Sequence, residues 1–133
     1  MPPMLTYREG FRPHAAAIAA LYRDALLIRP VDDVDRIRRM YEGSNLILSA
    51  WDGDRLAGIL RGWIDGAFDG YVCDLAVHPD YQKQGVGARL LEMARAGRPE
   101  VQWVLRASKI AADYYHHLGW QKIENGWFCA RER

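Results

Sequence analysis

Three groups of side chains in this sequence are of types, and at spacings, that chemistry can use. The first is Gln82-Lys83-Gln84-Gly85-Val86-Gly87, set between the apolar run Tyr71-Val72-Cys73-Asp74-Leu75-Ala76-Val77 and the periodic segment Ala88-Arg89-Leu90-Leu91-Glu92-Met93-Ala94. A strand that enters a helix through a glycine turn leaves the first backbone N–H groups of that helix unpaired and pointing one way, where they can hold phosphate. Glycine at 85 and 87 removes the Cβ atoms that would keep a pyrophosphate off the backbone, and Lys83 and Arg89 add positive charge beside it. The plainer use of such a turn is strand-to-helix packing. Two other nucleotide loops are excluded. The window Gly-Val-Gly-Ala-Arg-Leu from Gly85 lacks the third glycine of a dinucleotide fingerprint, and no Gly-Lys-Ser/Thr triplet follows as a P-loop needs.

The second group centres on Asp74, a carboxylate inside an otherwise apolar strand, which is costly there unless paired or used. It is the candidate general base. The structural alternative is bonding to nearby backbone N–H groups or to an arginine, and Tyr71, His78 and Asp65 are weaker candidate bases. The third group is Ala111-Ala112-Asp113-Tyr114-Tyr115-His116-His117-Leu118-Gly119-Trp120, where helical spacing puts Ala111 and Tyr115 on one face. Tyr114 reads as an aromatic that packs the helix onto the sheet. His14, His78, His116 and His117 show no ligand spacing with cysteine or carboxylate, so no metal is expected. Cys73 and Cys129 lie in apolar strand-like runs and read as buried thiols rather than a disulfide. Nothing near Cys73 offers the histidine that a covalent acyl-cysteine route needs.

The elements that must position these groups follow from periodicity. Residues 4 to 8 suit a short strand, and Ile18, Leu21, Tyr22, Ala25 and Leu26 mark an amphipathic helix after Pro13. Asp32, Asp33 and Asp35 precede Val34, Ile37, Met40 and Tyr41, a second helix with acids at its favourable end, stopped by Gly43. The runs 46 to 51 and 55 to 64 flank Asp52-Gly53-Asp54, a hairpin signal, and Asp65-Gly66 and Asp69-Gly70 introduce the strand 71 to 77. A helix over 85 to 96, a strand over 101 to 106, a helix over 109 to 118 and a final hairpin, 121 to 123 with 127 to 130 around Asn125-Gly126, complete the order β-α-α-β-β-β-α-β-α-β-β. With 133 residues, half of them hydrophobic, a single domain over residues 1–133 is expected. Eighteen basic against seventeen acidic side chains give no electrostatic case for nucleic acid or an anionic membrane surface. The N-terminus has no apolar h-region and no run suits a membrane span, so the expected location is cytoplasmic and the expected partner a small molecule.

The stretch from Asp74 through His78-Pro79-Asp80-Tyr81 to Leu91 resembles motif A of the GNAT superfamily of N-acyltransferases, in detail over about residues 69 to 97. Segment 111 to 120 resembles the Ala-x-x-Phe-Tyr-x-x-x-Gly-Phe segment of the same enzymes. The resemblance implies an α/β (α+β) fold, a mixed, mostly antiparallel sheet of about six to seven strands flanked by four helices. It implies acetyl-CoA as co-substrate, with the pyrophosphate held by Gln82, Lys83, Gln84, Gly85, Val86, Gly87 and Ala88. Backbone N–H groups around Leu75, Ala76 and Val77 would meet the pantetheine amides and the thioester oxygen, beside a bulge where strands splay. Ala111 would leave room for the pantetheine arm, and Tyr115 falls on the tyrosine that protonates the departing thiolate. Ser108 stands where the family often has asparagine; its shorter hydroxyl can cap the helix or reach the cofactor.

The implied reaction is N-acetyl transfer in a ternary complex: a neutral primary amine of a small molecule attacks the thioester carbonyl and coenzyme A leaves as a thiol. The alternative is a non-catalytic acyl-CoA-binding sensor. The family usually holds its acceptor with stretches that here carry Tyr22, Arg29, Asp32, Asp33, Arg61, Trp63, Asp65, Phe68, Asp69 and Trp127, with Arg61 available for a carboxylate. Sheet edges of this size are often covered by a partner, which allows a homodimer.

Overall fold

The computed structural model describes residues 4–109 and 111–133. Its elements run β1 (Thr6–Glu9), α1 (Ala15–Asp24), α2 (Val34–Glu42), β2 (Leu46–Asp52), β3 (Arg55–Ile64), β4 (Asp69–Val77), a 3-10 turn (Pro79–Tyr81), α3 (Val86–Arg95), β5 (Gln102–Leu105) and α4 (Ala112–His117). The strands form one sheet in the order β1-β2-β3-β4-β5, antiparallel except for the parallel β4–β5 pair.

Local chemistry explains the starts and stops. The Asp33 side chain accepts the Arg36 N–H at 3.0 Å and so caps α2, and Gly53, at φ 57°, makes the β2–β3 turn. Alternation along the strands then sorts the core into two layers. Leu46, Leu48, Leu60 and Val72 meet Val86, Leu90, Leu91 and Ala94 of α3 on one face. Ile47, Leu56, Ile59 and Ala76 meet Ile18, Leu21, Tyr22, Ile37 and Tyr41 of α1 and α2 on the other.

Two departures from a regular ladder shape the site. In the β3–β4 register Arg61 opposes Asp74 but Gly62 opposes Val72, so Cys73 is an extra residue and β4 bulges there. Gly62 permits it: a Cβ at that position would lie 2.1 Å from the Tyr71 carbonyl oxygen. Beside the bulge, β4 pairs with β5 only from Asp69↔Gln102 to Val72↔Leu105. Residues 73–77 continue along β3, and among the described residues no strand pairs their other edge.

The sheet has five strands rather than six to seven, because the expected final hairpin is missing. Residues 121–133 form no strand and are exposed throughout, Trp127 completely. Gln121-Lys122-Ile123-Glu124 offers one apolar residue among polar ones, too little of a face to fix a strand register. α4 is also shorter than the expected 109 to 118, and Cys129 is exposed while Cys73 is half-buried, so neither cysteine is the fully buried thiol expected. None of the described helices is long and apolar enough to cross a membrane.

Candidate active site

The glycine turn is built as its sequence requires. Gly85 caps α3 in the left-handed region at φ 81°, and Lys83 takes the same region at φ 62°. The first helical bond runs from the Arg89 N–H to the Gly85 carbonyl at 2.9 Å, which leaves the Val86, Gly87 and Ala88 N–H groups without a helix acceptor. Gln82 and Gln84 have structural work here: their Nε2 atoms donate to the Val77 carbonyl at 3.0 Å and the Asp80 carbonyl at 3.2 Å, which ties the turn to the end of β4. The turn and the unpaired edge of β4, including Leu75, Ala76 and Val77, therefore lie next to each other.

α4 lies against the turn. The Tyr114 hydroxyl lies 3.0 Å from where a Gly87 Cβ would stand, and the Leu75 side chain 3.8 Å from the same point. Tyr114 is therefore more than the packing residue expected, and its phenol reaches the glycine turn. Tyr115 is half-buried next to it, edge-on to Tyr114 at 5.3 Å and to Trp120 at 6.0 Å between ring centroids. Burial, with a smaller contribution from Tyr114, pushes its phenol up to about 12, so it carries its proton at neutral pH. The Ser108 hydroxyl accepts the Ala111 N–H at 3.3 Å, a capping contact within the turn before α4.

Asp74 is not placed as a base. Its side chain has no solvent exposure, one oxygen accepts from Arg61 Nε and the Tyr22 hydroxyl, each at 2.7 Å, and the other accepts from Arg29 Nε at 2.7 Å. Burial alone would raise its pKa, but the Arg61 hydrogen bond and charge, the Arg29 charge and the Tyr22 hydroxyl outweigh it and hold the carboxyl below the usual range. A carboxylate so held is a weak proton acceptor with both oxygens engaged and neither exposed. Arg61 is correspondingly occupied: besides Asp74 it donates to Ser44 Oγ at 3.2 Å and Cys73 Sγ at 3.1 Å, so it is not free for a substrate carboxylate. The Tyr22 and Tyr41 hydroxyls bond to each other, and burial raises both phenols. Burial, followed by the Asp74 charge, raises the Cys73 thiol.

The weaker candidate bases are also engaged. One Asp65 oxygen accepts the N–H groups of Ala67 and Phe68 at 2.8 Å and of Asp69 at 3.0 Å, which lowers its pKa and folds the β3–β4 loop. His78 Nδ1 accepts the Asp80 N–H at 3.1 Å, beside Arg55. Of the expected acceptor residues, the structure gathers Tyr22, Arg29, Arg61 and Trp63 around the bulge. Asp32 pairs with Arg23, Asp33 caps α2, Asp69 accepts from Gln102, and Phe68 and Trp127 are exposed.

Tyr41, Tyr114 and Arg106 are not among the site residues that the sequence offers; Tyr114 reads there as packing. Tyr41 was visible only as a helix-face apolar residue. Arg106 carried a readable signal, a lone cation directly after an apolar strand. Its guanidinium stacks on the Phe128 ring at 4.2 Å, and the register that ends at Val72↔Leu105 sets it opposite Cys73 where β4 and β5 part.

A family model for the acetyltransferase (GNAT) domain matches residues 28–128. Among solved structures, a Staphylococcus aureus protein described as a probable acetyltransferase superposes with a TM-score of 0.80 at 21% identity, covering 96% of this chain and 100% of its own. A GNAT family acetyltransferase of Streptococcus pneumoniae gives 0.75 at 25% identity over 97% and 100%. A Clostridium acetobutylicum protein described as a predicted acetyltransferase, solved with acetyl-CoA, gives 0.73 at 15% identity over 96% of each chain. No curated protein matches the chain.

Proposed function

This chain belongs to the GNAT acetyltransferase family, and from that premise we propose that it moves an acetyl group from acetyl-CoA to a primary amine of a small molecule, by direct transfer in a ternary complex. The observation that carries this reading is the parting of β4 from β5 after Val72, which leaves the edge of residues 73–77 open and running toward the glycine turn. An unpaired strand edge inside a sheet calls for a ligand that completes the ladder. Acetyl-CoA supplies the thioester, a pantetheine arm with amides, and a pyrophosphate. The first would sit at the fork, the second along residues 75–77, and the third on the Val86, Gly87 and Ala88 N–H groups with Lys83 beside them.

In this reading the free N–H groups of β4 beyond the bulge stabilise negative charge on the carbonyl oxygen as the amine nitrogen bonds to carbon, without reorganising. As the C–S bond breaks, Tyr115 gives its proton to the sulfur, which its high pKa leaves it holding. The proton shed by the amine goes to water, because Asp74 and Asp65 are both engaged and held in their ionised forms. Tyr114, with its hydroxyl at the glycine turn, positions the turn and the cofactor.

The test is a calorimetric titration with acetyl-CoA, wild type beside Gly87→Val shown to be folded by circular dichroism. Micromolar binding that the valine weakens at least tenfold, followed by thiol release with an amine panel, is expected. Binding with no turnover on any amine would assign the chain to acyl-CoA sensing. No binding would end both readings.

A further inference from the structure

The ends of α1, β2, β3 and β4 meet at the 3-10 turn that leads from β4 into the glycine turn, and His78 stands among them. Its backbone N–H donates to the Ala57 carbonyl of β3 at 2.8 Å, and its carbonyl accepts the Tyr81 N–H at 2.8 Å. The side chain is only 14% exposed, edge-on to the buried Tyr81 ring, whose hydroxyl donates to Asp52 at the end of β2. Two donors compete for the imidazole. The Asp80 N–H reaches Nδ1 at 3.1 Å, and Arg55 Nη2 lies 3.1 Å from Nε2. A neutral imidazole has one acceptor nitrogen, so only one of these contacts is a hydrogen bond.

The surroundings choose between them. Arg55 already has the Asp80 carboxylate at 3.0 Å, whereas the bonds of the turn itself begin at the Tyr81 N–H and leave the Asp80 N–H without an acceptor there. Nε2 faces Asp24 Oδ2 at 3.4 Å, and Nδ1 lies 3.8 Å from Asp80 Oδ2, beyond hydrogen-bond reach. The proton therefore sits on Nε2, and Nδ1 caps the turn. Asp24 suits that role better than a helical one: it is the last residue of α1, at the end where the macrodipole disfavours a carboxylate. The residue whose N–H His78 holds is also the one whose carbonyl accepts Gln84 Nε2 at 3.2 Å, next to Gly85.

Resting on the acetyltransferase reading above, we propose that His78 is a positioning residue for the pyrophosphate of coenzyme A: as the Nε2–H tautomer, oriented by Asp24, it caps residue 80 and so presets the glycine turn. It acts through the turn rather than on the reacting atoms. Without the cap, the turn has to be ordered at the cofactor's expense, so affinity falls for a ligand that carries the pyrophosphate and holds for one that ends before it.

The experiment is an NMR titration of the full chain with coenzyme A and with pantetheine, which has the thiol arm but no pyrophosphate. In the wild type, the ring nitrogen shifts of His78 should place the proton on Nε2. His78→Ala should weaken coenzyme A about tenfold, within the range for a lost cap, and leave pantetheine within about twofold. His78→Asn, whose side-chain oxygen can take the same N–H, should recover most of the loss. Asp24→Ala relieves α1 of an unfavourable terminal charge, so the melting temperature should hold or rise while the proton shifts toward Nδ1 and coenzyme A binds more weakly. Equal losses for both ligands, an alanine variant with wild-type affinity, an asparagine variant as weak as alanine, or a wild-type proton on Nδ1 would each overturn the inference. If His78→Ala does not fold, the tautomer and the Asp24→Ala titration decide. A wild type that binds no coenzyme A ends the acetyltransferase reading itself.

Discussion

Replacing Asp74 with asparagine separates two roles that its place in an apolar strand left open. The carboxylate receives three hydrogen bonds, from Arg61, Tyr22 and Arg29, and its partner Arg61 has a side chain only 5% exposed. Asparagine keeps one acceptor oxygen, which can satisfy one arginine; its amide then meets the other donor to donor. Two cations are left without an anion in a buried setting, and breaking a buried pair in this way costs about 3–5 kcal/mol. That is a large part of the roughly 5–15 kcal/mol by which a domain is stable. Urea unfolding followed by tryptophan fluorescence at pH 7 should show the free energy of unfolding lowered by this amount, through a lower midpoint at an unchanged slope. Residual activity, assayed well below the new midpoint, should fall much less than the 10²- to 10⁴-fold range expected for loss of a proton-transfer group. A variant with wild-type stability and a kcat down by three orders of magnitude would refute the anchoring role and restore Asp74 as the base.

Tyr115→Phe should lower kcat by roughly 10²- to 10⁴-fold with little change in acetyl-CoA affinity, whereas Tyr114→Phe should act on affinity through the glycine turn. Calorimetry and steady-state kinetics on the pair check this, and the reverse pattern would move the proton donor to Tyr114. For acid stability, the Asp74 carboxyl is lowered by folding, so its contribution is complete above its ordinary value of 3.8 and is lost as the pH falls through the folded value. Thermal scans from pH 6 downward should show that loss in the wild type and a shallower decline in Asp74→Asn.

What the sequence showed well was local. The glycine turn, the hairpin at Gly53 and the apolar faces of α1, α2 and α3 depend on neighbours a few residues apart, and each lies where periodicity and turn chemistry put it. Asp74 stood out as anomalous, but its partners come from 13, 45 and 52 residues away, and only tertiary packing selects a structural arginine from a free one. Tyr114 and Tyr115 are adjacent on a six-residue helix and point about 100° apart, so which phenol meets Gly87 is set by how the helix docks, and spacing alone does not fix that. The failed C-terminal hairpin has the opposite cause. Asn125-Gly126 is a sound turn signal, but Gln121-Lys122-Ile123-Glu124 before it lacks the apolar face that would fix a register on a neighbouring strand.

The bulge links these pieces. Gly62 lets the Tyr71 carbonyl come in where any Cβ would block it, which accommodates the extra residue at Cys73. A bulge raises the local twist of its strand, and β4 leaves β5 at that residue, so the open edge that suits a pantetheine arm starts from the geometry at Gly62 and Cys73. The same bulge turns the Cys73 carbonyl to Arg29 and sets Asp74, the next residue, between Arg29 and Arg61. Ion pairs buried this deeply add little net stability compared with apolar residues of equal volume, so stability is a poor account of why three charges sit here. Position is the better one: through Arg29 the cluster fastens the α1–α2 connection to the point where β4 and β5 part. It thereby holds the α1–α2 connection and the bulge of β4 together with one set of bonds.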